Sequence, residues 1–114
     1  ILDDVLVYAY DQSPGEPEAI GLVVNAGNRD KLLAWLAAHP AGPNVTLTDQ
    51  TLATAMFALQ GPRAIEVLQP LVDVDLRGMK SYTGRSAVIA GVRGYVSRTG
   101  YTGEDGFELI AAND

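Results

Sequence analysis

The chain has no cysteine among its 114 residues, which excludes disulfides, thiolate metal sites and a cysteine nucleophile. Histidine occurs once, at His39 beside Pro40. One imidazole cannot build a metal centre, so no metal is expected, and its place at a helix end rules out a Ser-His-Asp arrangement. Lysine and arginine are few: eight, scattered singly, against fourteen Asp and Glu, for a net charge of −6. Phosphate backbones need clustered cations, so no nucleic-acid partner is expected. No apolar run approaches the ~20 residues of a membrane span, and no basic stretch precedes an apolar one as in a signal peptide. The reading is a soluble, cytoplasmic protein without a membrane partner. What is present is a globular composition, 47% hydrophobic, in a length that suits one domain. The chain opens on "ILDDVLVYAY", without Met and already inside an apolar alternation, which points to a fragment of a longer protein.

Apolar periodicity divides the chain into strands and helices. "VLVYAY" at 5–10 and "AIGLVVN" at 19–25 read as two strands of a hairpin, joined by the turn-rich "DQSPGEPE" at 11–18. Asn28 can N-cap a helix in which Leu32, Leu33, Trp35 and Leu36 recur at helical spacing until His39-Pro40 stops it. That helix is expected to lie on a sheet. "NVTLTD" at 44–49 and "TAMFALQ" at 54–60 read as further strands. Gly61-Pro62 opens a second helix, with the proline where its missing N–H does no harm, and Ala64, Ile65, Val67 and Leu68 form its apolar side. After an irregular stretch, "SAVIAGV", "GYVSRT" and "FELIAA" complete the strand set. The fold class expected is α+β, an antiparallel sheet with helices packed on one face.

Three stretches carry candidate chemistry. In "RTGYTGEDGFEL" (98–109), glycines at 100, 103 and 106 forbid regular structure. One reading is a wide hairpin connection turning at Glu104-Asp105-Gly106. The other is a ligand loop: Gly100 and Gly103 admit a flat ligand, Tyr101 offers a ring and a hydroxyl, and Glu108 projects from the next strand as a bidentate acceptor for an amino-pyrimidine edge. It lacks the GK[ST] ending of a phosphate loop, and it is not a dinucleotide fingerprint, since a strand-like segment follows. In "LDDV" (2–5), alternation sends Asp3 and Asp4 to opposite faces. Both can be solvated, or one can stand beside an amine as a proton acceptor or as a counter-charge for an iminium-like cation. In "VVNAGN" (23–28), Asn25 ends a strand either as a turn residue or as an amide donor and acceptor for a ligand.

Taken in order and at their separations, "ILDDVLVY", "LVVNAGNRDK", "ALQGPRA" and "RTGYTGEDGFEL" closely resemble the central part of the T-protein family, the aminomethyltransferases of the glycine cleavage system. Each piece is weak alone; four in register are specific, and they favour the ligand loop. The resemblance spans the whole chain and implies a partial folate-binding domain, residues 1–114, of a longer enzyme that is inactive as an isolated piece. It implies transfer of a methylene unit from the aminomethyl group on the lipoyl arm of H-protein to tetrahydrofolate, with release of ammonia. Carried over by motif, Asp4 is the catalytic carboxylate, Val23, Asn25 and Tyr101 belong to the pterin pocket, and Glu108 pairs with the pterin edge. Asp3, turned to the other face, is expected to tolerate replacement. Two alternatives share the fold: the folate domain of sarcosine- or dimethylglycine-oxidising enzymes, and a non-enzymatic folate-binding iron–sulfur assembly factor, whose Cys-containing loop differs from "TGYTGEDG".

Overall fold

The computed structural model describes residues 1–10, 14–15 and 18–113. The turn-rich segment expected at 11–18 therefore falls mostly outside the described residues. Strands β1 (Leu6–Ala9) and β2 (Ile20–Val23) pair antiparallel, Leu6 opposite Val23 and Ala9 opposite Ile20. A second sheet holds β3 (Thr54–Gln60), β4 (Gly84–Ile89), β5 (Val92–Ser97) and β6 (Gly106–Ala112) in the order β3-β6-β5-β4, every neighbour antiparallel. Helix α1 (Arg29–Ala38) follows the hairpin, and α2 (Ala64–Leu68) follows β3. The chain is α+β, as its periodicity indicates. No helix among the described residues is long and apolar enough to cross a membrane.

The four-stranded sheet has two unlike faces because side chains alternate along each strand. One face sends Ala87, Val96 and Phe107 against Ala64 and Leu68 of α2 and against Leu76 and Met79 of the segment that follows it, with Leu59 and Leu109 completing the cluster. Phe107, Val96, Leu68 and Leu76 are fully buried there. The opposite face carries Tyr95, Ser97 and Glu108, and the β1–β2 hairpin lies over it. Tyr8 and Tyr10 meet the Tyr95 ring edge-on, with centroids 5.6 and 4.7 Å away. The sheet thus separates an apolar core from a polar layer, and the polar layer holds the candidate site.

Four local expectations are corrected. Residues 44–49 form no strand: Val45 and Leu47 alternate as a strand would, but both are exposed and no neighbouring strand pairs with them. Helix α1 buries none of its residues, and Trp35, 44% exposed, stacks on His39 instead of on the sheet. A polar tie holds its start, where Arg29 pairs with Asp49, a carboxyl kept at about 2 chiefly by hydrogen bonds from Thr51 and then by Arg29. Asn28 occupies the N-cap position without capping; its Nδ2 donates to Asp3 Oδ1 at 2.8 Å. Finally, "SAVIAGV" is broken at Ala90-Gly91, whose positive φ values of 49° and 88° make the tight two-residue turn that suits the twist of a β4–β5 hairpin.

Candidate functional site

The loop from Arg98 to Asp105 joins β5 to β6 and is closed at its base by a forked ion pair. Arg98 donates to both carboxylate oxygens of Asp105, Nε to Oδ1 at 2.9 Å and Nη2 to Oδ2 at 2.6 Å, and its Nη1 reaches the Met79 carbonyl at 2.8 Å. The guanidinium holds the Asp105 carboxyl below the usual carboxylate range, and Asp105 in turn raises Arg98. The Gln60 amide completes the brace from β3, donating to the carbonyls of Thr99 at 3.0 Å and Phe107 at 3.2 Å. Gly100 leaves room for this brace: a Cβ there would lie 2.0 Å from Gln60 Oε1, and the residue also lines the cleft that Asp4 faces. Gly103, at φ 76°, faces open space. The hairpin and ligand-loop readings are therefore compatible, one describing the base of the connection and the other its tip.

Glu108 lies at 5% exposure on the polar face of β6. Alternation sends its neighbours Phe107 and Leu109 into the core and leaves Glu108 beside a cluster of hydroxyls. Thr99 Oγ1 donates a short hydrogen bond to Glu108 Oε2. Ser97 Oγ lies 2.9 Å and Tyr8 Oη 3.1 Å from Thr99 Oγ1, and Tyr8 Oη is also 3.2 Å from Ser97 Oγ. Tyr8, Ser97 and Thr99 are all buried. A buried carboxylate needs such donors, because an unsolvated charge without partners is costly.

Asp3 and Asp4 lie before β1 and not within it, so strand alternation does not govern them; they nevertheless go to different places, and Asp3 is not idle. Its carboxylate accepts from the Asn25 backbone N–H at 2.9 Å, from Asn25 Nδ2 at 2.6 Å and from Asn28 Nδ2 at 2.8 Å. Asn25 Nδ2 also donates to the Asp4 carbonyl at 3.2 Å. The hydrogen bond from the Asn25 side chain is the main cause that lowers the Asp3 carboxyl to about 2, with Asn28 and the backbone adding to it. Asn25, expected in the ligand pocket, is thus engaged in tying the segment before β1 to the end of β2. Val23 is half-buried at that end, opposite Leu6.

Asp4 instead faces a cleft of about 320 Å³ lined by Asp4, Leu6, Tyr82, Thr99, Gly100 and Tyr101. That volume lies at the lower end of the range for small-molecule sites. Partial desolvation raises the Tyr101 hydroxyl, and the nearby carboxylates of Glu108, Asp4 and Asp3 add to it. Among the five residues singled out, Asp4 and Tyr101 line this cleft, Glu108 stands behind Thr99, Val23 backs Leu6, and Asn25 anchors from the side. Tyr82 was missed. It is 76% exposed and holds φ at 61°, an uncommon conformation for a bulky residue. Its N–H donates to the Arg98 carbonyl at 2.9 Å, which ties it to the ligand loop. The signal that marks it is a repeated tripeptide: Tyr-Thr-Gly occurs at 82–84 and again at 101–103. A second cleft, about 370 Å³ and lined by Asp73, Val74, Asp75, Gly78 and Arg85, is larger but lacks convergent groups. Asp73 caps the Val88 N–H and Asp75 the Arg77 N–H.

Comparison with known proteins gives these features a context. The family model described as the GCVT N-terminal domain matches residues 1–114. A protein named aminomethyltransferase from Moorella thermoacetica is 50% identical over 109 residues, covering 96% of this chain and 28% of that protein. Aminomethyltransferases from Herpetosiphon aurantiacus, 47% identical over 110 residues (96% of this chain, 29% of the relative), and Geobacillus thermodenitrificans, 49% identical over 109 residues (95% and 28%), match over a similar span. The chain thus spans 28–29% of the length of these relatives.

Proposed function

The chain belongs to the GCVT N-terminal domain family, and from that footing we propose that it is the folate-binding part of a longer aminomethyltransferase of the glycine cleavage system. The observation that carries this reading is the meeting of Asp4, Tyr101 and the Glu108–Thr99 pair around one cleft. Two segments far apart in sequence meet here: residues 99–108 supply an acceptor carboxylate and an aromatic wall, and the segment before β1 supplies a second carboxylate. The names of the relatives favour an aminomethyltransferase over the folate domain of an amine-oxidising enzyme.

In the proposed reaction the carbon of an aminomethyl group, held on the lipoyl sulfur of H-protein, passes to tetrahydrofolate. Its bonds to sulfur and to the amine break, two bonds to folate nitrogens form, and the two folate N–H protons leave with the thiol and ammonia. This chain's residues supply the setting. Glu108 accepts N–H bonds from the amino-pyrimidine edge, a pairing stronger than neutral hydrogen bonds. Tyr101 and Tyr82 provide rings at the cleft, while Leu6, paired with Val23, supplies its apolar side. Asp4, exposed at the cleft, places a carboxylate beside the amine, where it stabilises developing positive charge or takes a proton.

The test is Asp4→Asn in the complete protein. Folate affinity is expected to stay within a modest factor while turnover falls about 10²-fold or more, the scale of a positioned acid or base. Near-normal turnover would remove Asp4 from the chemistry. Glu108→Gln is expected to weaken tetrahydrofolate binding by about 1.5–3 kcal/mol, the range for a hydrogen bond to a charged group.

A further inference from the structure

Glu108 can recognise a pair of N–H donors only if its carboxylate plane is fixed, since a bidentate bond demands that both oxygens lie in the plane of the donors. A glutamate has three rotatable side-chain bonds, and its terminal torsion is broad. Here one oxygen is pinned. The single proton of Thr99 goes to Glu108 Oε2, so Ser97, 2.9 Å away, donates toward Thr99 Oγ1, while the one Tyr8 proton goes either to Ser97 Oγ at 3.2 Å or to Thr99 Oγ1 at 3.1 Å. Ser97 has one alternative acceptor, the Glu108 backbone carbonyl at 3.4 Å. The hydroxyl chain therefore points toward the carboxylate. It spans 91 residues between Tyr8 and Thr99, and Tyr8 belongs to the strand that follows Asp4. Oε1 and the second lone pair of Oε2 stay available for a ligand.

We propose that Thr99, backed by Tyr8 and Ser97, is a positioning residue that orients Glu108 and so sets selectivity for ligands bearing a 2-amino-pyrimidine edge; this rests on the folate reading above. Thr99 also lines the cleft, so its hydroxyl links the wall of the site to the group that reads the ligand. A purely structural threonine would support the loop without distinguishing one ligand edge from another.

Calorimetry on the complete protein tests this with two ligands, tetrahydrofolate and its 2-desamino analogue. Thr99→Val is expected to weaken tetrahydrofolate binding about tenfold to a hundredfold, the scale of one charge-assisted hydrogen bond, and to affect the analogue much less. Thr99→Ser restores the hydroxyl and should bind within about threefold of wild type. Tyr8→Phe keeps the ring on Tyr95, removes one donor, and should lose a smaller factor in the same ligand-selective way. In a Glu108→Gln background, Thr99→Val should add little. Equal losses for both ligands, equal losses in both backgrounds, or no rescue by serine would each overturn the positioning role. If Glu108→Gln itself binds tetrahydrofolate as tightly as wild type, the folate reading fails at its anchor and the positioning role falls with it.

Discussion

Asp3 and Asp4 carry the same side chain on adjacent residues just before β1, yet they make different contacts. Asp4 meets the cleft. Asp3 collects three N–H donors from Asn25 and Asn28, which lower its carboxyl from 3.8 to about 2. A carboxyl lowered in the folded state stabilises that state fully above its unfolded value and loses the contribution as pH falls through the folded one. The stability difference between wild type and Asp3→Asn is therefore expected to shrink between about pH 4 and pH 2, as read by urea unfolding across that range. A constant difference would mean that the three hydrogen bonds do not favour the ionised form. The same geometry changes what Asp3→Asn should do to catalysis. Alternation alone suggests a near-silent substitution, yet Asn25 Nδ2 bridges Asp3 and the Asp4 carbonyl. An asparagine at position 3 turns an NH₂ toward asparagine donors, frees that bridge, and lets Asp4 drift. In the complete protein a loss of about tenfold in kcat is expected, the effect of misplacement rather than of lost chemistry. A kcat equal to wild type would show that the bridge does not position Asp4.

Strand β6 lies in the sheet interior, between β3 and β5, and alternate residues on it face the apolar core and the polar layer. Phe107 is fully buried against α2, whereas Glu108, one residue on, faces Thr99. Phe107→Ala is expected to lower stability by about 3–5 kcal/mol, the range for emptying a large aromatic site, while Glu108→Gln should alter ligand affinity with little change in melting temperature. Denaturant unfolding and calorimetry on both variants check the split; a comparable stability loss from Glu108→Gln would show that the carboxylate holds the sheet together. This strand was legible in the sequence because "FELIAA" alternates, and "TAMFALQ" matches β3 residue for residue. "NVTLTD" alternates just as well, but periodicity says which faces a segment can present and not whether a partner strand exists to pair with it. Trp35 misled for the same reason, since helical spacing does not reveal that none of the helix's residues is fully buried. The Tyr8–Thr99 contact and the φ of Tyr82 were illegible: both arise where distant segments meet, which local spacing cannot record.

At the scale of the whole molecule, surface remains that this chain does not cover. A compact monomer of 12.1 kDa exposes about 6,000 Å², and this chain exposes 8086 Å². Its radius of gyration, 15.1 Å, likewise exceeds the roughly 13 Å of a close-packed domain of this length. The excess is apolar in part: Ile20 and Leu22 on β2, Trp35 on α1, Leu52 and Phe57 beside or on the edge strand β3 are all exposed. Strand β3 has no charged residue and, among the described residues, no second neighbour in the sheet, the pattern that invites pairing with another chain. Two of the residues that line the cleft, Tyr82 and Tyr101, are largely in solvent. Two linked outcomes are expected for the isolated 114-residue chain. It should self-associate at concentrations where the complete protein sediments as a defined species, because uncovered strand edges and apolar residues find each other. It should also bind tetrahydrofolate no tighter than high micromolar, roughly −5 to −6 kcal/mol, since an open cleft leaves much of the ligand in water. Sedimentation velocity and calorimetry on the isolated chain and the complete protein decide both. A monomeric isolated chain that binds tetrahydrofolate as tightly as the complete protein would mean that residues 1–114 already contain the whole pocket, and that the exposed apolar surface serves something other than closing it.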